Sequence, residues 1–137
     1  MKEKLGLVVS DYNADITHLM SKIAQEHAQF LGAEVAEIIR VPGAFDMPLA
    51  VKKLTERKNI DGVVTLGTVI EGDTSHDEIV AQNAARKIAD ISVSSGKPVS
   101  LGVSGPKMSR LDSVNRIESY AKRSTEAAVK MIRRLKT

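Results

Sequence analysis

The sequence predicts an α/β fold in which helices cover both faces of a four-stranded parallel sheet. Four short, nearly continuous apolar runs alternate with amphipathic stretches along the 137 residues, and parallel strands that are buried on both faces have such continuous runs. Right-handed crossovers convert the resulting order, β-α-β-α-β-α-β-α-α, into a flavodoxin-like three-layer αβα sandwich. The chain shows no internal repeat and no linker, so we expect residues 1–137 to form a single domain.

The first half of the chain is predicted to contain two strands and two helices. Apolar residues at helical spacing indicate the first helix, which Asp15 would cap and Gly32 would terminate. Pro48 fits the first turn of the second helix, where its missing N–H costs nothing. The predicted bounds are 5–9 and 35–41 for the strands, and about 16–31 and 47–58 for the helices.

The second half is predicted to contain strands 62–70 and 98–103, followed by helices 111–120 and 121–135. Between these strands, Thr74 or Ser75 would cap a third helix that runs to about Ser94. Its apolar side would comprise Ile79, Val80, Ala84, Ile88 and Ile91. The apolar stripe of the last helix would comprise Ala127, Ala128, Met131, Ile132 and Leu135.

Composition excludes several classes of function. The chain has no cysteine, which rules out disulfides, thiolate metal sites and cysteine nucleophiles. Its N-terminus lacks the long apolar segment of a signal peptide, and no apolar run is long enough to span a membrane, so we expect a cytoplasmic protein without a membrane partner. Aromatic residues make up only 3% of the chain, too few to form a stacking platform for single-stranded nucleic acid. Basic residues are concentrated in 121–137, but the apolar stripe of that helix indicates that one face is buried and that the basic residues form a solvated surface, so we expect no nucleic-acid partner.

Ligands of open α/β sheets bind beyond the carboxyl ends of the strands. This rule selects residues 10–14, 42–47, 68–76 and 101–107 as the candidate site. The third of these segments leaves a strand and opens a helix, whose first N–H groups attract anions. His76 lies in that first helical turn, where a histidine suits proton transfer near neutral pH. The alternative is a polar, capped turn with an exposed histidine.

Two further features suggest a ligand site. The loop after the second strand combines Gly43, an aromatic Phe45 and the carboxylate of Asp46, which could accept hydrogen bonds from hydroxyls. Gly43 would permit an otherwise strained backbone and a close approach of the ligand. The alternative is a plain turn in which Asp46 caps the next helix. Arg116 is suited to forked contact with a phosphate, although most arginines lie on solvated helix faces. His18 and His27 have no metal-ligand spacing, so we interpret them as structural or surface residues and expect no metal site.

These segments together resemble the lumazine synthase family over nearly the whole chain. The resemblance is carried by the pair Tyr12-Asn13, the loop PGAFDMP at 42–48, and the string TLGTVIEGDTSH at 65–76, which is followed by Asp77-Glu78 and by NAA at 83–85. The short chain is similar to the archaeal branch of that family. The resemblance implies condensation of 5-amino-6-(D-ribitylamino)uracil with 3,4-dihydroxy-2-butanone 4-phosphate to give 6,7-dimethyl-8-ribityllumazine, with release of phosphate and water. It also implies that no metal or organic cofactor takes part.

The resemblance also implies roles for individual residues. Tyr12 would stack on the pyrimidine, Leu101 would pack on it from a neighbouring subunit, and His76 would move protons. The ribityl chain would be held by Ala44, Phe45 and Asp46, and the heterocycle lined by Thr68, Val69 and Ile70. The phosphate-bearing substrate would contact Asp73, Thr74 and Arg116. Homo-oligomers are implied too: pentamers, or an icosahedral shell built from them, with sites between subunits.

The chain departs from the family pattern at several positions. Asp46 stands where a glutamate is frequent, Leu101 where a phenylalanine is frequent, and Tyr12 where phenylalanine or tryptophan is frequent. Asn115 competes with Arg116 for the phosphate position, and Lys122 is the nearest counterpart of a further family lysine. Three rival functions stay open at this point. One is the related archaeal-type riboflavin synthase activity, and another is a scaffold that binds ligand or forms a shell without catalysis. The third is nucleic-acid binding by the basic helix 121–135.

Overall fold

The structure is a computed structural model that describes residues 2–72 and 74–136. Its elements in chain order are β1 (Lys4–Ser10), α1 (Ala14–Phe30), β2 (Glu34–Val41), a 3-10 turn (Ala44–Asp46), α2 (Met47–Thr55), β3 (Gly62–Ile70), α3 (His76–Ser95), β4 (Val99–Met108), α4 (Arg110–Asn115) and α5 (Ile117–Leu135). Within the described residues, four strands form one parallel sheet in the order β2-β1-β3-β4. The predicted α/β class and its parallel four-stranded sheet are therefore confirmed.

Helices cover both faces of this sheet. Successive side chains of a strand point to opposite faces, so an apolar strand needs a helix on each side to bury them. On β1, Leu7 and Val9 belong to a core cluster that includes α1 and α5, whereas Val8 belongs to a second cluster with α2 and α3. All three side chains are almost completely buried. The two clusters are the two apolar layers of the predicted sandwich, and they leave the strand ends free for a site.

Several predicted element bounds are wrong. Helix α1 begins at Ala14, so Asp15 lies inside it, and the residue at its N-cap is Asn13 with a left-handed backbone (φ 62°). The second helix ends at Thr55 rather than near residue 58. Strand β4 does not end at 103 but continues to Met108, because it resumes pairing with β3 beyond an irregularity.

The C-terminal helices also divide at a different residue from the one predicted. Ser109 caps α4 by accepting a hydrogen bond from the Asp112 N–H at 3.0 Å, and α4 ends at Asn115, with Arg116 (φ −102°, ψ 0°) between the two helices. Helix α5 therefore begins at Ile117 instead of 121, and its buried face differs from the predicted stripe. Ala127, Met131 and Leu135 of the predicted stripe are exposed, and Val129 is buried; on α3, Ile79 is also exposed, against expectation.

In the part of the chain that the structure describes, no helix is both long and apolar enough to cross a membrane.

Candidate functional site

A cavity of about 540 Å³ opens at the carboxyl ends of β1 and β3. The chain leaves β1 toward β2 on one side and later returns to β3 on the other, so the cavity lies at the topological switch point where α/β sheets bind ligands. Its lining residues come from the ends of β1, β2 and β3 and from the start of α3. They are Tyr12, Asn13, Gly43, Ala44, Phe45, Asp46, Thr68, Val69, Ile70, Gly72, Thr74, His76, Asp77 and Val80.

The ring of Tyr12 forms one wall of the cavity and lies directly against Gly43. A Cβ atom at position 43 would lie only 2.7 Å from the Tyr12 ring, so the ring occupies the space that a side chain would need. The Tyr12 N–H donates to the Pro42 carbonyl at 3.0 Å, which ties the end of β1 to the end of β2. The preceding residue, Asp11, strengthens this tie through an ion pair with Arg40 at 2.7 Å.

The loop after β2 presents an aromatic ring and a carboxylate. Phe45 is exposed at the cavity, as an apolar wall requires. The Asp46 Oδ2 accepts a hydrogen bond from the Gly43 N–H at 3.1 Å. The side chain of Asp46 makes no capping bond to α2, so its alternative role as a helix cap is not realised. Its carboxylate stabilises the loop and retains acceptor capacity for a ligand hydroxyl.

A chain of three buried hydroxyls lies beneath the cavity floor. Ser104 donates to the Thr68 Oγ1 at 2.6 Å, and Thr68 donates to the Ser113 Oγ at 2.7 Å. Ser113 is the buried residue of α4, whose other residues are exposed. The hydroxyl of Thr68 is therefore engaged with the protein, which leaves its backbone and methyl group to face the cavity.

The first turn of α3 closes the cavity on another side. His76 is the first residue of this helix and its side chain is exposed. The Thr74 Oγ1 accepts a long hydrogen bond of 3.4 Å from the His76 N–H, whereas Ser75, at the N-cap position, makes no side-chain capping bond. His76 thus lies at the cavity with an imidazole that is free to approach a ligand.

Nine of the twelve predicted site residues line this cavity, whereas two others that the structure describes, Leu101 and Arg116, do not. Leu101 lies in a separate groove of about 640 Å³ between β4 and α5, together with Tyr120, Arg123 and Lys130. Arg116 is exposed at the junction of α4 and α5. Asp73 lies outside the described residues.

Two lining residues, Asp77 and Val80, fall outside the segments that the sequence selects, and Asn13 and Gly72 lie within those segments without an individual role. Asn13 and Asp77 stand beside predicted residues in the motifs, so adjacency was the available signal. Asp77 is 7% exposed although its neighbours His76 and Glu78 are not buried. A sequence does not reveal which of three consecutive polar residues points inward.

The arrangement suits chemistry between two bound organic molecules. It offers an aromatic face for a flat ring, a carboxylate for hydroxyl groups, backbone groups of β3 for a heterocycle, and an imidazole for proton transfer. Within ranges 2–72 and 74–136, no group of three or more His, Asp or Glu side chains is arranged to hold a metal ion.

Comparison with known proteins gives a consistent result. The family model described as 6,7-dimethyl-8-ribityllumazine synthase matches residues 2–136. A protein of that name from Methanoculleus marisnigri is 62% identical over 135 residues, which cover 98% of this chain and 99% of the relative. A protein of the same name from Archaeoglobus fulgidus is 60% identical, and the match covers 98% of this chain and 94% of the relative. Another from Methanocaldococcus jannaschii is 61% identical, and the match covers 96% of this chain and 93% of the relative.

Proposed function

Because the chain belongs to the 6,7-dimethyl-8-ribityllumazine synthase family, and is therefore a transferase of riboflavin biosynthesis, we propose that it catalyses that family's condensation. The substrates are 5-amino-6-(D-ribitylamino)uracil and 3,4-dihydroxy-2-butanone 4-phosphate. The products are 6,7-dimethyl-8-ribityllumazine, phosphate and water.

One observation carries this proposal most strongly: an aromatic ring, a carboxylate and an imidazole meet around one cavity at the switch point of the sheet. Tyr12 would stack on the pyrimidine, and the backbone of residues 68–70 would line its edge. Ala44, Phe45 and Asp46 would hold the ribityl chain, with the Asp46 carboxylate accepting from its hydroxyls. The hydroxyl and backbone of Thr74 would contact the phosphate-bearing substrate.

The chemistry requires few catalytic side chains. The pyrimidine brings its own amine nucleophile, so no serine or cysteine nucleophile is needed. Imine formation, phosphate elimination and ring closure each move protons, which is the role that we assign to His76. Much of the acceleration would come from holding two substrates in register.

Arg116 and Leu101 would contribute to the site of a neighbouring subunit in an oligomer. We propose that the protein forms pentamers, or a larger icosahedral shell of pentamers, in the cytoplasm. The site of one subunit would then be completed by a neighbour. Leu101 lines a different groove from the cavity of its own chain, which supports this arrangement, because a Leu101 that packs on substrate would then do so from another subunit.

The test is to mix the purified protein with both substrates and to follow the lumazine chromophore against a blank without protein. The blank is needed because the two substrates can condense unaided. We expect clear acceleration by the wild-type protein, and a fall in kcat on the order of 100-fold for His76→Ala. Binding of the pyrimidine and folding should be unaffected in that variant.

His18→Ala is the matched control, since His18 is an exposed histidine on α1 outside the cavity. It should retain wild-type turnover. An intact, assembled wild-type protein that fails to accelerate the condensation would contradict the proposal. Conversion of lumazine to riboflavin in the same preparation would instead indicate the related synthase activity, and pyrimidine binding without product would indicate a binding scaffold.

A further inference from the structure

Strand β4 bulges where it passes the cavity. Two residue pairs of the β3–β4 ladder flank the bulge, Thr68 with Ser104 and Ile70 with Met108. Val69 of β3 therefore faces three residues of β4, 105–107. Such a bulge interrupts the ladder and leaves some backbone groups without a strand partner.

The bulge forms the outer support of the cavity wall. A Cβ atom at Gly105 would lie 2.4 Å from the Val69 carbonyl oxygen, so the two backbones are in direct contact. Gly105 has a φ of 114° and Lys107 a φ of 61°, both in the region that L-residues rarely adopt. The position of Val69 at the cavity therefore depends on how this segment of β4 is held.

A buried carboxylate, that of Asp77, holds the bulge of β4 in place. The Asp77 Oδ2 accepts a hydrogen bond from the Lys107 N–H at 3.0 Å, and the side chain of Asp77 is buried in the first turn of α3. The contact supplies an acceptor to an N–H group within the bulge. It also joins α3 to β4 at the residue that follows His76, so one carboxylate connects the support of Val69 to the turn that carries the imidazole.

We infer that Asp77 is a positioning residue for the proposed reaction: by anchoring the β4 bulge to the first turn of α3, it fixes the distance between the heterocycle wall at Val69 and the imidazole of His76. The inference rests on the proposed function. It assigns Asp77 no proton and no substrate contact; its effect passes through the geometry of the two residues that it joins. A misplacement of about 1 Å can cost on the order of 100-fold in rate.

Three substitutions of Asp77 distinguish a positioning role from a requirement for its negative charge. Asp77→Ala removes the acceptor and should lower kcat on the order of tenfold or more, with the KM of either substrate changed by less than about twofold. Asp77→Asn keeps an oxygen that can accept from the Lys107 N–H, so it should restore most of the lost kcat. Asp77→Glu keeps the charge but moves the oxygens by one methylene, so it should be impaired.

Glu78→Ala is the matched control. Glu78 is the adjacent acid and also contacts Lys107, but through the ammonium group, with Oε1 3.7 Å from Nζ. It does not line the cavity. This variant should keep wild-type kcat, because the backbone anchor of the bulge is untouched.

Hydrogen–deuterium exchange of the assembled protein gives a readout that does not depend on turnover. The peptide that contains Lys107 should exchange faster in Asp77→Ala than in the wild type, and at the wild-type rate in Glu78→Ala and Asp77→Asn. If Asp77→Ala does not fold, the Asn and Glu variants still decide the question.

Several outcomes would overturn the inference. Wild-type kcat in Asp77→Ala, or a change confined to KM, would remove the positioning role. An active Glu variant beside an inactive Asn variant would show that the charge itself is required. Failure of the wild-type enzyme to form lumazine would instead contradict the proposed function, while the exchange data would still report on the anchor.

Discussion

At the scale of single residues, Arg116 and Asn115 are competing candidates for the contact to phosphate. Both are exposed at the end of α4, and neither lines the cavity of its own chain. Arginine can make two charge-assisted hydrogen bonds to a phosphate group, whereas an asparagine amide is neutral. Arg116 is therefore the residue to which we assign the phosphate of the proposed substrate.

Arg116→Ala should raise the KM of the butanone phosphate on the order of tenfold or more, because charge-assisted hydrogen bonds to phosphate would be lost. The KM of the pyrimidine should change little. Steady-state kinetics with each substrate varied in turn measures both constants. Asn115→Ala serves as the control and should behave like the wild type; if the effects of the two variants were exchanged, the phosphate contact would belong to Asn115.

The residue types of the site could be predicted from the sequence better than their side-chain directions. Phe45, Asp46 and His76 follow strand ends, and the sheet brings strand ends together. Asp77 could not be identified in this way, because its burial depends on the bulge of β4, a tertiary feature without a local signal. Whether Arg116 and Leu101 act from a neighbouring subunit likewise depends on assembly.

At the scale of secondary-structure elements, an ion pair joins the N-terminus to α5. Arg133 Nη2 lies 3.0 Å from the Glu3 Oε1 and also donates to the Leu31 carbonyl, at the end of α1. The hydrogen bond from Arg133 holds the pKa of the buried Glu3 carboxyl below its usual range. A carboxyl whose pKa is lower in the folded state stabilises the fold above its unfolded pKa, and this contribution is lost as the pH falls through the folded pKa.

Glu3→Gln should therefore lower the melting temperature at pH 7. At acid pH, where the wild-type carboxyl becomes protonated, the difference in melting temperature between the wild type and the variant should become smaller. Thermal unfolding followed at pH values between about 7 and 3 measures this dependence, since glutamate titrates near 4.3 in unfolded chains. Glu56→Gln is the control, because Glu56 is exposed at the end of α2. Equal pH slopes for Glu3→Gln and the wild type would exclude a role for this ion pair.

The order of the elements could be predicted from apolar patterning, but several of their ends could not. The fourth strand is predicted to end at 103, yet β4 pairs again at Met108 because its partner strand continues beside it. The residue at the N-cap of α1 is Asn13 rather than the predicted Asp15, and its left-handed backbone is not required by residue type alone. In both cases, tertiary pairing or backbone geometry overrides the local preference.

At the scale of the whole molecule, the groove between β4 and α5 is the surface that we assign to assembly. Leu101 is 48% exposed in this groove, although it lies in the middle of a strand. Burial of such a side chain against a second copy would remove apolar surface from water. The proposed oligomer would thereby bring Leu101 to a neighbour's cavity.

Leu101→Glu should shift the protein to smaller species and lower its activity, because a charge would be buried at the subunit contact. Light scattering and sedimentation velocity measure the assembly, and the lumazine assay measures the activity. Leu19→Glu is a matched control on α1, since Leu19 is 50% exposed. Unchanged assembly in the Leu101 variant would place the subunit contact elsewhere.

The contact between Tyr12 and Gly43 has a consequence for the mutational tolerance of the chain. Gly43 has an extended backbone (φ −145°) that alanine can adopt, and the obstacle to a Cβ atom there is an exposed, movable ring. At Gly102, by contrast, a Cβ atom would lie 2.4 Å from the Thr65 carbonyl oxygen in the buried sheet. A library sorted for folded protein should therefore accept substitution at 43 and reject it at 102. A library sorted for growth of a host that depends on this enzyme, without supplied riboflavin, should reject both, because a side chain at 43 displaces the Tyr12 ring from the cavity.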